Sequence, residues 1–279
     1  MGKGNTENFM KEEFFIKNIN SKYIGDDGAV IGKNVIASDS FFEGIHFKKE
    51  WMGLKDIAVK ASLVNLSDII VMNAKPEYAI LNIGFPKSYT LHDIKQLTDG
   101  FNECALKHGY EIIGGDTIKN DKLAISMTFI GKSKKPVYRK AKIGEYVAFT
   151  GDLGSVKRDL NILLRGGKIS KNSKFIRPKL KDKFFYKAAP FITSALDISD
   201  GLFKELERIS KVSKLGFEFL KKFDKRTGCS GEEYEILFTF NKKHLPKILN
   251  IAKLSRTKIT VFAVTKRGFY RSVCRENHF

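Results

Sequence analysis

Five short strings in this chain set aspartate beside glycine or a hydroxyl residue. They are Gly25-Asp26-Asp27-Gly28, Ser38-Asp39-Ser40, Asn65-Leu66-Ser67-Asp68, Gly114-Gly115-Asp116-Thr117 and Asp197-Ile198-Ser199-Asp200-Gly201. One aspartate at the end of an apolar stretch is most often a turn or helix-cap residue. Five such strings suggest carboxylates gathered in one place. Gathered anions repel one another and ionise together only beside counter-cations. Hard divalent ions such as Mg²⁺ choose carboxylate oxygens and keep room for water and phosphate oxygens, so the set suits several Mg²⁺ ions holding a polyphosphate. Glycines 114 and 115 predict a close approach of backbone to phosphate. Ser199 and Asp200, at a strand-to-helix turn, predict backbone N–H groups facing an anion. Neither a Gly-x-x-x-x-Gly-Lys-Ser/Thr string nor a strand-then-helix Gly-x-Gly-x-x-Gly string occurs, which excludes the P-loop, dinucleotide and protein-kinase solutions.

The elements that must position these residues follow from apolar periodicity. Residues 30–38 read as a strand broken by a turn at 32–34, 78–85 and 110–113 as strands, and 123–131 as a strand with Leu123, Ile125, Met127 and Phe129 on one face. Residues 56–72 predict a helix packed on one side through Ile57, Ala61, Val64 and Ile69, with Asn65 and Asp68 sharing a face. Residues 91–108 predict an amphipathic helix closed by Gly109, and the apolar cluster at Phe14–Ile16 a further helix. The basic stretch 131–142, with Pro136, reads as a linker. Beyond it, strands are expected at 146–150, 194–198, 235–240 and 259–264 and a helix at 201–214, with a glycine- and lysine-rich stretch at 165–173. The fold class is α+β: two mixed α/β domains, 1–134 and 135–279, the second a sheet covered by helices.

At 279 residues and 42% apolar content, the chain is neither disordered nor a fibrous repeat. Three widely spaced cysteines, Cys104, Cys229 and Cys274, argue against a disulfide framework and a Cys-x-x-Cys site. No apolar run approaches the roughly 20 residues that span a bilayer, so no membrane partner and a cytoplasmic location are expected. The net charge of +19 is uneven: residues 1–140 hold 20 basic and 17 acidic side chains, and 141–279 hold 30 and 14. Such a basic half attracts polyanions, and a nucleic-acid-binding reading stays open. The densest basic patch, Lys221–Arg226, lacks a recognition motif, so no nucleic-acid partner is expected.

Several strings, in order from about residue 25 to 240, resemble thiamine-monophosphate kinase: Asp26-Asp27-Gly28-Ala29-Val30, Ser38-Asp39 with Glu43-Gly44-Ile45-His46-Phe47, Asn65-Leu66-Ser67-Asp68, Gly114-Gly115-Asp116-Thr117, Asp197–Leu202 and Gly231-Glu232-Glu233-Tyr234-Glu235. The metal-binding strings are shared with the wider aminoimidazole-ribonucleotide-synthetase-like superfamily, another ATP-dependent member of which is the alternative. The Glu-Gly-x-His-Phe and Gly-Glu-x-Tyr-Glu strings point more narrowly to the thiamine enzyme. The resemblance implies direct transfer of the ATP γ-phosphoryl group to thiamine monophosphate, with no catalytic residue of the protein carrying the phosphate. It implies ATP as co-substrate, several Mg²⁺ ions, and a homodimer paired through the first domain. Carried over by position, Asp27, Ser38, Asp39, Asp68, Asp116, Asp197 and Asp200 hold Mg²⁺. Gly115, Asp116, Arg139 and Ser199 contact ATP, and His46 and Glu232 contact thiamine phosphate. The chain departs from the family in a short 219–231 segment, in Arg177-Pro178-Lys179 for a longer proline-arginine string, and in Glu276 where a stacking aromatic is usual. Trp51 and Phe279 are candidates to replace that aromatic.

Overall fold

The computed structural model describes residues 14–274. Strands β1 (Ala29–Ile31), β2 (Asn34–Phe42), β3 (Lys75–Phe85), β4 (Glu111–Lys119) and β5 (Ala124–Lys132) form a sheet in the order β1-β2-β5-β3-β4. Only the β3–β4 pair is parallel among these neighbours. The alternation expected around Met127 holds: Ile125, Met127, Phe129 and Gly131 are buried, and the residues between them face outward. Antiparallel pairing passes that phase to β2, where Val35, Ala37 and Phe41 lie on the buried face.

Helix α1 (Leu54–Val71) covers this face. It was expected to pack on one side, yet nearly its whole circumference is buried. The reason is its place: β5 and β2 lie against it, helix α2 (Leu91–His108) flanks it, and the second sheet meets it as well. Helix α2 follows its expected bounds. Thr90 and Asp93 form a reciprocal cap at its start, and Gly109 closes it at φ +71°.

β4 was expected to end near Ile113, but the Gly114–Thr117 string continues the strand, paired with β3 as far as Phe85–Lys119. A Cβ on Gly115, whose φ is +150°, would sit 1.7 Å from the carbonyl oxygen of Leu81. The glycine is required by the neighbouring strand, a local cause that the expected approach of phosphate did not include.

The second sheet is antiparallel throughout, ordered β7 (Ile192–Asp197), β9 (Ile236–Phe240), β6 (Tyr146–Thr150), β10 (Ile259–Arg267) and β8 (Leu215–Phe219). Helices α3 (Ser155–Leu164), α4 (Asp182–Ala188), α5 (Leu202–Ser213) and α6 (Leu245–Leu254) accompany it. One apolar cluster runs continuously from Val35 and Phe129 of the first sheet to Phe184, Phe238 and Phe240 of the second half. The amino-terminal helix expected around Phe14 is seen over residues 14–18, and the residues before it lie outside the described range, as do Glu276 and Phe279. Among the described residues no helix is long and apolar enough to cross a membrane.

Cys229 and Cys274 are joined in a disulfide, contrary to the expectation from sequence. Their separation of 45 residues said nothing of their distance, and the fold brings their Cα atoms to 5.5 Å. Cys104 is free and buried.

The spacing of α1 and α2 yields a test. A Cβ at Gly100 of α2 would lie 2.3 Å from the Lys55 carbonyl oxygen and 2.8 Å from Ala58 Cβ. Gly100→Ala is expected to destabilise the protein by about 1–3 kcal/mol through overpacking, seen as a lower Tm by calorimetry. An unchanged Tm would show that the two helices are not held at this distance.

Candidate active site

The turn before β1, the last turn of α1 and the end of β7 converge. Asp27, Asp68 and Asp197 come from these three elements, and one carboxylate oxygen from each lies within 4.8 Å of the others. The Asn65–Asp68 string explains how α1 builds the centre. Asn65 accepts the Asp39 N–H at 2.8 Å and donates to the Ala61 carbonyl, fastening β2 to the helix. Leu66 is core, Ser67 donates to Asp197 Oδ2 at 2.7 Å, and Asp68 joins the acids. Burial pushes the Asp68 carboxyl well above the usual carboxylate range, and the charges of Asp39, Asp197 and Asp27 add to it. Burial raises Asp197 in the same way, with Asp27 and Glu205 adding. The carbonyl end of α1 carries partial negative charge, so Asp68 gains nothing from its helix. An all-oxygen set of this kind, underneath an open cleft, suits a hard divalent cation.

A cleft of about 460 Å³ opens above these acids. It brings together Asp27, Ser38, Asp39, His46, Asp68, Arg139, Asp197, Ser199 and Asp200 from the expected set. β1 pairs with β2 only over Asn34–Ile36, so the edge of β2 beyond is open. Residues from both faces of that edge, Ser38 and Asp39, therefore border one hollow. Arg139 grips Asp27 with Nε at 3.2 Å and Nη2 at 2.5 Å, while its backbone N–H donates to Asp26 at 2.7 Å. His46 Nδ1 accepts the Phe42 N–H at 2.9 Å, which leaves Nε2 as the N–H of the neutral ring.

The expected N–H site at Asp200 is used within the protein. Glu205 Oε1 accepts the Asp200 N–H at 3.0 Å, and Arg208 pairs with the Asp200 carboxylate and with both Glu205 oxygens. Glu232 is anchored to the same turn, its N–H donating to the Ser199 carbonyl at 2.6 Å. Lys60 meets its carboxylate at 2.7 Å. Trp51 packs edge-on against Phe175 at 5.8 Å.

Gly115 and Asp116 stand elsewhere in the chain. The register places Ser40, Ser126, Asn82 and Asp116 in one row on the outward face of the first sheet, opposite to Met127 and α1. Three strand spacings, roughly 14 Å, separate the ends of that row. Asp116 lines a separate hollow with Phe42, Asn82 and Ile118. Sequence reasoning missed Asp26, Lys60, Ser67, Arg208 and Tyr234. Asp26, Ser67 and Tyr234 lay within quoted strings but were given no role. Lys60 is two helical turns before Asp68, a spacing that puts both on one face.

The raised carboxyls give a pH dependence. Between the ordinary carboxylate range and the raised values, the folded protein holds protons that the unfolded chain has released. The stability from these groups is full below the ordinary range and is lost as pH rises through the raised values. A divalent cation competes with those protons, so its stabilising effect grows with pH. In EDTA, the Tm of the wild type relative to Asp68→Asn is expected to fall as pH rises from about 4 towards neutral. Added Mg²⁺ is expected to raise the wild-type Tm by a margin that widens with pH. A Mg²⁺ effect independent of pH would contradict this description of the acids.

The chain is similar to proteins already known. Residues 25–133 match the family described as AIR synthase related protein, N-terminal domain. The thiamine-monophosphate kinase of Buchnera aphidicola subsp. Schizaphis graminum is 35% identical, over 83% of this chain and 80% of its own. That of Nitrosopumilus maritimus is 32% identical, over 78% and 76%. The solved structure of AaThiL complexed with AMPPCP and TMP shares the fold, with a TM-score of 0.85, 21% identity, and coverage of 97% and 96% of the two chains. With converging acids and relatives alike over most of its length, this chain belongs to the thiamine-monophosphate kinase family.

Proposed function

We propose that this protein transfers the γ-phosphoryl group of ATP directly to the phosphate of thiamine monophosphate, giving thiamine diphosphate and ADP. The observation that carries the reading is the meeting of Asp27, Asp68 and Asp197 beneath a cleft that also collects Asp39, His46, Arg139 and Ser199. AaThiL was solved with AMPPCP and TMP, an ATP-like ligand beside the acceptor, which supports the same pairing here.

The all-oxygen donor set fits Mg²⁺, with Asp27, Ser38, Asp39, Asp68, Asp197 and Asp200 as its holders in this cleft. Bound Mg²⁺ supplies neutralisation of the charge shared over the phosphoryl oxygens. The chain's own residues align and bind. Arg139, with its guanidinium braced by Asp27 and its backbone N–H held by Asp26, faces the nucleotide phosphates. Ser199 borders the nucleotide from the β7 turn. His46 presents Nε2–H to a phosphate oxygen of the acceptor, and the Glu232 carboxylate faces the positively charged ring of thiamine. No protein nucleophile is needed, because alignment and charge neutralisation carry most of such a transfer.

Asp116 and Gly115 enter this scheme through a second copy. Within one chain Asp116 lies on the outward face of the first sheet, where apolar Ile36, Ile80, Ile118 and Phe42 flank the polar row, and Gly115 precedes it on β4. A homodimer seated on that face is the arrangement under which Asp116 takes part in metal binding and Gly115 in ATP binding. Residues 1–134 then form the nucleotide- and metal-binding, dimerising part, and residues 135–279 the carboxy-terminal domain. The reading goes with a cytoplasmic location.

Incubation with Mg²⁺, ATP and thiamine monophosphate is expected to give ADP and thiamine diphosphate in equal amounts. ADP without thiamine diphosphate would overturn the acceptor. Asp68→Ala and Asp116→Ala are each expected to lower kcat/KM by at least about 100-fold, as loss of transition-state charge stabilisation does, with far-ultraviolet circular dichroism unchanged. If both residues serve a site shared between copies, co-refolding the two inactive variants in equal amounts restores about one quarter of wild-type activity, from one intact site per mixed dimer. No recovery in confirmed mixed dimers would contradict the shared site.

A further inference from the structure

Lys60 is a fully buried cation that the family resemblance does not employ. It lies on α1 two turns before Asp68, and its side chain is 0% exposed. Its Nζ lies 5.5 Å from the ring centroid of Phe41 on β2 and 4.1 Å from that of Phe175. Glu232, with its side chain 13% exposed, meets it at 2.7 Å. A buried ammonium is retained only when paired, and aromatic faces add to that pairing. Enclosed in this way, Lys60 cannot touch a ligand in the cleft. It acts on Glu232.

The backbone around Glu232 is held just as firmly. Glu232 adopts φ +56° and Tyr234 φ +48°, left-handed conformations that side-chain-bearing residues keep only where their surroundings impose them. The Glu232 N–H donates to Ser199 and the Tyr234 N–H to Ile198, so the loop is bolted to the turn that carries Asp197 and Asp200. Phe41, the other wall of the lysine cage, has the His46 ring 5.5 Å away. Lys60 and Phe41 thus connect the two residues assigned to thiamine phosphate, His46 and Glu232, through one packed cluster spanning both sheets.

We infer that Lys60 is a positioning residue that sets the Glu232 carboxylate for recognition of the cationic part of the acceptor, so that acceptor selectivity is fixed from α1. The inference rests on the functional reading above. Its role is to hold one carboxylate oxygen, Oε2, and so limit the directions in which the other can face substrate.

Steady-state kinetics with each substrate varied in turn tests it, using Lys60→Met, Lys60→Arg, Glu232→Gln and the double variant Lys60→Met/Glu232→Gln. Wild-type turnover of thiamine monophosphate is measured first, and its absence overturns the functional reading, not the geometry of the pair. Lys60→Met is expected to raise KM for thiamine monophosphate about tenfold or more, the usual scale for losing an orienting partner, with KM for ATP within about twofold. Lys60→Arg is expected to recover part of the loss. The double variant, which buries no unpaired charge, is expected to match Glu232→Gln, because Lys60 acts only through that carboxylate. Should Lys60→Met not fold, Lys60→Arg and the double variant give the same reading. An unchanged KM for thiamine monophosphate in folded Lys60 variants, equal rises in both KM values, or additive losses in the double variant would overturn the inference.

Discussion

Mutual repulsion among carboxylates removed from water is the constraint around which this protein is arranged. Asp27, Asp68 and Asp197 come within 4.8 Å of one another. Burial and like charge both push the Asp68 and Asp197 carboxyls towards the protonated form. A fold that minimised its own free energy would not assemble such a group, and local rules are typically broken where function requires it. The protein assembles it by running α1 between the two sheets, so that one helix contributes an acid, orients a second through Ser67 and fastens β2 through Asn65. The same helix places Lys60 under Glu232. Bringing cations to the acids satisfies the repulsion, and a triphosphate is the kind of ligand that arrives with them.

The arginines show what the chain itself contributes to this balance. Arg139 is held by the Asp26-Asp27 pair, and Arg208 by Asp200 and Glu205. Both line the cleft. Much of the basic excess lies outside this centre and has local uses. Arg177 of the second half holds both Asp56 and Glu103 of the first, and Lys174 bridges Glu233 and Glu235. In the densest basic patch, Asp224 caps the single turn at Lys225–Gly228. Phe223 packs its ring against Phe149 and Phe262, so it is not presented for base stacking.

Much of the first sheet and most of the acid centre were legible in the sequence because each was written in local terms. Period-two alternation at Ile125–Phe129 needs no tertiary information, and Thr90 with Gly109 marks α2 at both ends. What escaped depends on pairing across long separations. β8 is a five-residue run with a glycine at its second position, and its strand form comes from β10. The Gly114–Asp116 string looked like a turn because glycines cluster there, whereas its parallel partner β3 made it a strand and turned Asp116 to the outer face. Lys60 carried no motif, and its meaning appears only once Glu232 of the 231–235 loop meets it. The Cys229–Cys274 bond likewise depends on two segments that sequence alone does not bring together.

The most direct test is diffraction from crystals grown with Mn²⁺ and AMPPCP, using the anomalous signal of manganese to locate the ions. The account requires anomalous peaks within coordination distance of Asp27, Asp68 and Asp197, with the nucleotide phosphates on the open side of the ions. Nucleotide bound in the cleft at saturating Mn²⁺, with no peak at these carboxylates and Arg139 still closed on Asp27, would contradict it.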